Sequence, residues 1–332
     1  LSIRRQRQMC IRDRDITDEA LSQAQTMYNI IASTATKGFK TKVYGQRHIS
    51  FEIIASKGLV HYYVVVPHVL IDVIQQSVSA AYPAARLEEV EEHNLFSKVG
   101  KISGTIGGEL TLKKNYAYPI ATYQESKRDA MRAILNALSG ASREDGVGIQ
   151  ILFRPAPEGW EKNGVFTANK IRKDKGTKSS GFGSGAIMPK DLLEALWKAP
   201  EQKDVKPEDK QLSSIEQQTV EAIEEKTRHP GYEVLVRVIA SSNVSARAQG
   251  LMKNVVASFS LFDAPGKNGF KFTTTKNVEQ FVTSFIFRFF PQDVKQNVLN
   301  SVEMATLFHL PDQTYLSHHK KFQSKYFLAC LL

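Results

Sequence analysis

Cysteine is almost missing from this sequence. Only Cys10 and Cys330 occur, one near each end, so neither a disulfide framework nor a cysteine-rich zinc site can be assembled, and a reducing compartment is the natural reading. Long apolar runs are missing too. The best candidate, residues 58–74, is interrupted by His61, Pro67, His68 and Asp72, whereas a membrane-spanning helix needs about 20 predominantly apolar residues. The string G-x-x-x-x-G-K-[ST] does not occur, which removes the loop that cradles nucleotide phosphates. H-E-x-x-H and the G-x-S-x-G elbow are also lacking. The histidines at 48, 61, 68, 93, 229, 309, 318 and 319 show no metal-ligand spacing. With both cysteines at the ends, nucleophilic catalysis has no candidate residue. The residues argue for no enzyme, no cofactor and no metal.

What is there is a globular composition: 332 residues, 42% apolar and 23% charged, enough for one large domain or two of about 100 to 170 residues. Lys+Arg number 44 against 34 Asp+Glu, a formal net charge of +10. Such a balance draws a protein to polyanions such as nucleic acid or anionic lipid headgroups, or simply keeps it soluble.

Helical spacing of apolar residues predicts helices over Ala20–Ile31, Leu70–Ala81, Ala130–Leu138, Ile215–Ile223 and Ala248–Phe259. Thr17, ahead of Asp18 and Glu19, caps the first of them. Alternation predicts strands over Ile49–Ala55 and Leu59–Val66, joined by a hairpin turn at Ser56-Lys57-Gly58. Further strands follow over Ile102–Leu112, Val147–Phe153, Tyr232–Val238 and Phe270–Phe272. Gly104, Gly107 and Gly108 point to a bulge or bend in the first of these.

Three stretches, 59–91, 109–154 and 232–275, have the order strand, helix, strand. Split β-α-β units of this kind build ferredoxin-like sandwiches. The expected fold is therefore α+β, with two lobes of mixed or antiparallel sheet and helices on one face: residues 15–168 and 213–311. Between them, residues 169–212 combine lysines, the glycines of SSGFGSG and Pro189, Pro200 and Pro207. That stretch reads as a flexible linker or insertion, relieved by a short helix at Asp191–Trp197. Residues 1–14 are basic, lack a signal peptide's apolar core, and resemble translated sequencing-adapter text; they read as non-native or disordered. Residues 312–332 read as an unpatterned tail.

Two motifs within the linker bear on chemistry. Gly181 to Ala186 satisfies G-x-G-x-x-A, but the polar stretch before it is no buried strand, so a dinucleotide site is not expected there. Lys170, Arg172, Lys173, Lys175 and Lys178 place five cations within nine residues, candidates for contact with DNA phosphates. A solvated charge run is the alternative. Only Phe166 and Phe182 lie nearby, too few aromatics to support base stacking.

The succession HISFEIIASKGLVHYYVVVP, SAAYPAARLEEVE, GELTLKKNYAYPI, IQILFRPAPEGW and VEMATLFHLP resembles the region preceding the motor in bacterial proteins related to the conjugation and type IV secretion ATPases. In that family a membrane-anchoring segment comes first, then a domain of unassigned function, then a hexameric DNA-translocating P-loop ATPase. The resemblance covers roughly residues 15–311. It implies a non-catalytic docking or assembly domain linking a membrane complex to the motor. It also implies a cytoplasmic position at the inner face of the membrane in the full-length protein, homo-oligomers there, and protein partners within the DNA-transfer complex. Neither anchor nor Walker motif occurs in the chain, so it reads as a fragment to which no catalytic residue carries over. The competing expectation is a stand-alone, sequence-independent nucleic-acid-binding protein using the basic linker.

Overall fold

The computed structural model describes residues 19–38, 41, 45–83, 87–89, 104–177, 212–291, 297–310 and 322–331. β1 (Ile49–Ser56) and β2 (Leu59–Pro67) pair antiparallel with Ser56 opposite Leu59, so a two-residue loop joins them. Lys57 and Gly58 take φ values of 52° and 79°, the left-handed pair that matches a hairpin turn to the twist of its strands.

Seven more strands join this hairpin in one sheet: β3 (Leu87–Glu89), β4 (Thr105–Leu112), β5 (Gly146–Pro155), β6 (Gly231–Ser241), β7 (Phe270–Thr274), β8 (Val298–Asn300) and β9 (Phe322–Leu331). Their order is β3-β9-β2-β1-β5-β6-β4-β7, with β8 paired to β6. Every pairing is antiparallel except those of β9 with β2 and β3. Among the described residues the helices are α1 (19–32), α2 (Ile71–Ala81), α3 (Tyr123–Ser126), α4 (Ala130–Ser139), α5 (Glu161–Thr177), α6 (Ser214–Thr227), α7 (Ser245–Ser258), α8 (Val278–Ile286) and α9 (Ser301–Leu307). The fold is α+β.

The two expected lobes share this sheet. β5, from the first, lies beside β6, from the second, in an unbroken register from Gly146 opposite Ser241 to Pro155 opposite Tyr232. All residues of β5 and all but the last of β6 are buried. Strands so enclosed need a hydrogen-bonding neighbour on each edge and apolar cover on each face, which separate lobes would deny them. Two of the expected β-α-β units interlock across the supposed boundary. β6 lies between the parallel strands of β4-α4-β5, and β4 lies between those of β6-α7-β7.

Helices cover both faces of the sheet rather than one. On the first face, Met27, Tyr28 and Ile31 of α1, Ile74 and Val78 of α2, Met131 and Leu135 of α4, and Leu251 and Val255 of α7 form a single core with Phe51, Tyr62, Phe153 and Val236. On the other, Phe281, Val282 and Phe285 of α8 pack on Ile54, Tyr63, Val65 and Ile239. The second face mixes apolar strand residues (Ile54, Leu152, Leu235, Ile239) with buried polar ones (Glu52, Gln150, Arg237), and both kinds need cover from water or partners within the fold.

Three local expectations change. β4 carries no bulge, for it pairs with β6 and with β7 without a register shift. Its glycines serve close approach instead: a Cβ on Gly107 would lie 2.3 Å from the Phe281 ring, and one on Gly108 2.3 Å from the Thr273 carbonyl oxygen. Residues 169–177 continue α5 rather than open a linker, because Ala168 and Ile171 pack on Val220 and Ile223 of α6. Residues 322–331 form β9 rather than part of a loose tail. The apolar run FLACL has no period of two to read, as is usual for a parallel strand. Residues 1–14 and 178–211, including the glycine string and the helix expected at 191–197, lie outside the described residues. No helix among the described residues is long and apolar enough to cross a membrane.

Candidate functional site

Four polar residues stand alone in apolar surroundings: Glu52 in ISFEIIAS, Gln150 in GVGIQILF, Arg237 in EVLVRVIA and Arg288 in FIFRFF. Burying such groups is costly unless they meet one another. The sheet register brings the first three into a row. Glu52 is opposite Gln150, Gln150 opposite Arg237, and Arg237 opposite Glu109 on β4. Glu52 and Gln150 are fully buried and Arg237 is 2% exposed.

Hydrogen bonds run the length of this row. Gln150 Nε2 donates to Glu52 Oε1 at 2.9 Å, Arg237 Nη1 to Gln150 Oε1 at 3.3 Å, and Arg237 Nε to Glu109 Oε1 at 3.2 Å. Burial draws the Arg237 guanidinium below its usual pKa, while Glu109 opposes that shift. The same donors reach the last turn of α8, whose carbonyls have no partner within the helix. Gln150 bonds Phe285 O at 2.8 Å, Arg237 bonds Ser284 O at 3.1 Å, and Arg288 bonds Ile286 O at 2.9 Å. Two arginines at a helix C-terminus also complement its dipole. The row clamps α8 to the sheet, and its chemistry is structural.

Arg288 ends α8 with φ at 50°, a left-handed conformation that costs a residue with a Cβ roughly 1–3 kcal/mol. Its side chain turns back to Glu52, Nε to Oε1 at 2.9 Å. Phe290 is buried beside Leu152 and Leu235, with its ring stacked 5.4 Å from His48 and 4.6 Å from the Arg154 guanidinium. Arg154 in turn bonds Glu233 Oε2 at 2.6 Å. With Arg288 and Phe290 both directed inward, Phe287 and Phe289 point outward, 71% and 59% exposed.

A second buried pair joins α6 to α9. Lys226 Nζ lies 3.0 Å from Glu303 Oε2, each side chain 1% exposed, and Lys226 also donates to Val298 O at 2.9 Å. Glu303 accepts from the backbone N–H groups of Ile120 and Asn300, both at 2.8 Å. Burial lowers the Lys226 pKa and Glu303 opposes it. Every acceptor on Glu303 is occupied, so this pair too is a structural tie. It forms part of the floor of a groove of about 630 Å³ lined also by Glu125, Glu221, Arg228 and Lys267.

Four of the five residues expected to contact nucleic acid lie on α5. Lys170, Arg172 and Lys173 are exposed, and Arg172 Nη2 is 2.6 Å from Glu224 Oε1 on α6. Lys175 belongs to the same helix, and Lys178 lies outside the described residues. α5 therefore carries Lys170, Arg172, Lys173 and Lys175 on a helix rather than a loose linker, and Arg172 already has a partner. Sequence reasoning missed the Glu52 row, although isolated polar residues within apolar strands signal it. Nothing in the sequence pairs Arg288 with Glu52.

Comparison with curated proteins finds no match to this chain, and comparison with solved structures finds none. A family model does match, over residues 8–322, a span that takes in every described element up to the first residue of β9. The chain belongs to the family described as a domain of unknown function (DUF8128).

Proposed function

We propose that this chain is a non-catalytic docking module that contacts a protein partner through Phe287 and Phe289. The observation that carries this reading is the way the two rings are held. A strained backbone at Arg288, a buried ion pair to Glu52 and the inward anchor Phe290 keep two adjacent large apolar side chains in water. Backbone strain persists where surrounding structure over-determines it, and such places are commonly functional. Two rigid phenyl rings are good anchors for an interface because little conformational entropy is lost on binding.

In this reading, β4-α4-β5-β6-α7-β7 is a ferredoxin-like unit, with the 161–227 region inserted in sequence between its second and third strands, β5 and β6. The resemblance to the region preceding conjugation and type IV secretion motors supplies the partner class: a P-loop DNA-translocating ATPase assembled at the inner face of a membrane, with copies of this module around its ring. Sedimentation of the purified chain with such a motor from the same DNA-transfer system tests the reading. The chain is expected to co-sediment, and F287S/F289S is expected to remain free while melting as the wild type does. A wild-type chain that does not bind, or a double variant that binds equally well, overturns it.

A further inference from the structure

One side of α5 packs on α6 through Gly164, Ala168 and Ile171. At 100° per residue, Lys162, Phe166, Lys170 and Lys173 fall on the opposite side within an arc of about 80°. All four are exposed, Phe166 to 69%, and Val165 beside it to 52%. None of the three lysines makes an ion pair with a described residue. The helical rise sets Lys162 and Lys170 about 6 Å along the axis on either side of Phe166, with Lys173 about 4.5 Å further on.

A phenyl ring between cations that make no ion pair among the described residues has the two parts from which single-strand sites are made: charge for the backbone and a face on which a base can stack. A duplex keeps its bases stacked on one another and offers that ring nothing. An anionic bilayer asks an interfacial helix for a broad apolar face. Here Val165 and Phe166 alone would enter it, since the remaining apolar residues of the described part of the helix are turned toward α6. Charge and geometry together favour single-stranded nucleic acid. We propose that the outward stripe of α5 binds single strands without sequence preference, with phosphates on Lys162, Lys170 and Lys173 and one base on Phe166.

Fluorescence anisotropy with a labelled oligo-dT of about 15 nucleotides tests this, a length near the upper range for one binding unit. Three phosphate contacts predict that log affinity falls with log salt at a slope of about −2. F166A should weaken binding about five-fold or more, with unchanged melting, and should have no effect on an abasic strand of the same length. K162E/K170E/K173E should remove binding. Three results each overturn the proposal: F166A binding oligo-dT as the wild type does, a duplex of equal length binding as tightly as the single strand, or the stripe variants losing affinity for phosphatidylserine vesicles while keeping it for oligo-dT. F287S/F289S should bind oligo-dT normally, so the fate of the docking reading does not touch this one.

Discussion

Arg288 bonds Glu52 from 236 positions further along the chain, with Nε 2.9 Å from Oε1 and Nη2 3.4 Å from Oε2. Glu52 Oε1 also accepts from Ser50 Oγ and Gln150 Nε2, each at 2.9 Å. A buried carboxylate in the sheet thus receives a cation, Arg288, and the neutral donors Ser50 and Gln150. Together with Gln150 and Arg237, which bond the carbonyls of Phe285 and Ser284, and with the buried Phe290, this pairing holds the end of α8 and the direction of the two exposed phenylalanines.

Removing the cation should be costly. Arg288→Ala takes away the cation that bonds Glu52 through both of its oxygens, and the expected loss is about 3–5 kcal/mol, read from urea denaturation midpoints. The double variant E52Q/R288Q should lose less than the sum of its two singles, because neither charge is then stranded. A loss below about 1 kcal/mol for Arg288→Ala would show that the pair does not hold α8.

Acid should weaken the fold through Asp145. Burial pushes its carboxyl upward, but bonds from Arg247, from the Ser142 hydroxyl and backbone N–H, and from Ser242 outweigh burial and hold it well below the usual carboxylate range. Arg247 Nη2 lies 2.6 Å from its Oδ2. The unfolded chain then binds the proton more readily than the folded one. Stability from this group is present above about pH 4 and is lost as pH falls below it. Asp129, held low by His309 and Arg132 against the opposing effect of burial, acts in the same sense. Asp145→Asn should lower stability at pH 7 and flatten the acid limb of the stability curve. An acid limb identical to wild type would refute this assignment.

Cutting the chain between α5 and α6 should leave it assembled. A protease site placed within 178–211 and cleaved to completion separates residues expected to form two lobes, yet β5 and β6 remain paired from Gly146–Ser241 to Pro155–Tyr232. The fragments are expected to co-elute on size exclusion and to melt in one transition. Independent elution, or two transitions, would mean that the halves are separate units.

Local patterns read well wherever a segment meets its surroundings on one side. Ala24, Met27, Tyr28 and Ile31 have helical spacing and are buried as one face of α1. Ser56-Lys57-Gly58 reads as a turn, and Lys57 and Gly58 take the backbone conformation that a turn needs. Short segments without a clear period read poorly. β9 has no alternation in its sequence, and α8 and α9 are short and rich in apolar residues. For α5 the lysines dominated the reading, because the small residues Gly164 and Ala168 that let α6 approach carry little hydropathy of their own.

The order of strands and helices, the glycines of β4 and the isolated polar residues in β1, β5 and β6 are properties of the sequence, since each follows from nearby residues. Which strands become neighbours is not. Whether β-α-β units stand apart or interlock depends on pairings between residues 77 to 166 positions apart, and periodicity carries no information about partners at that distance. Only the folded sheet sets Gln150 between Glu52 and Arg237, brings Arg288 back across it, and thereby turns Phe287 and Phe289 into water.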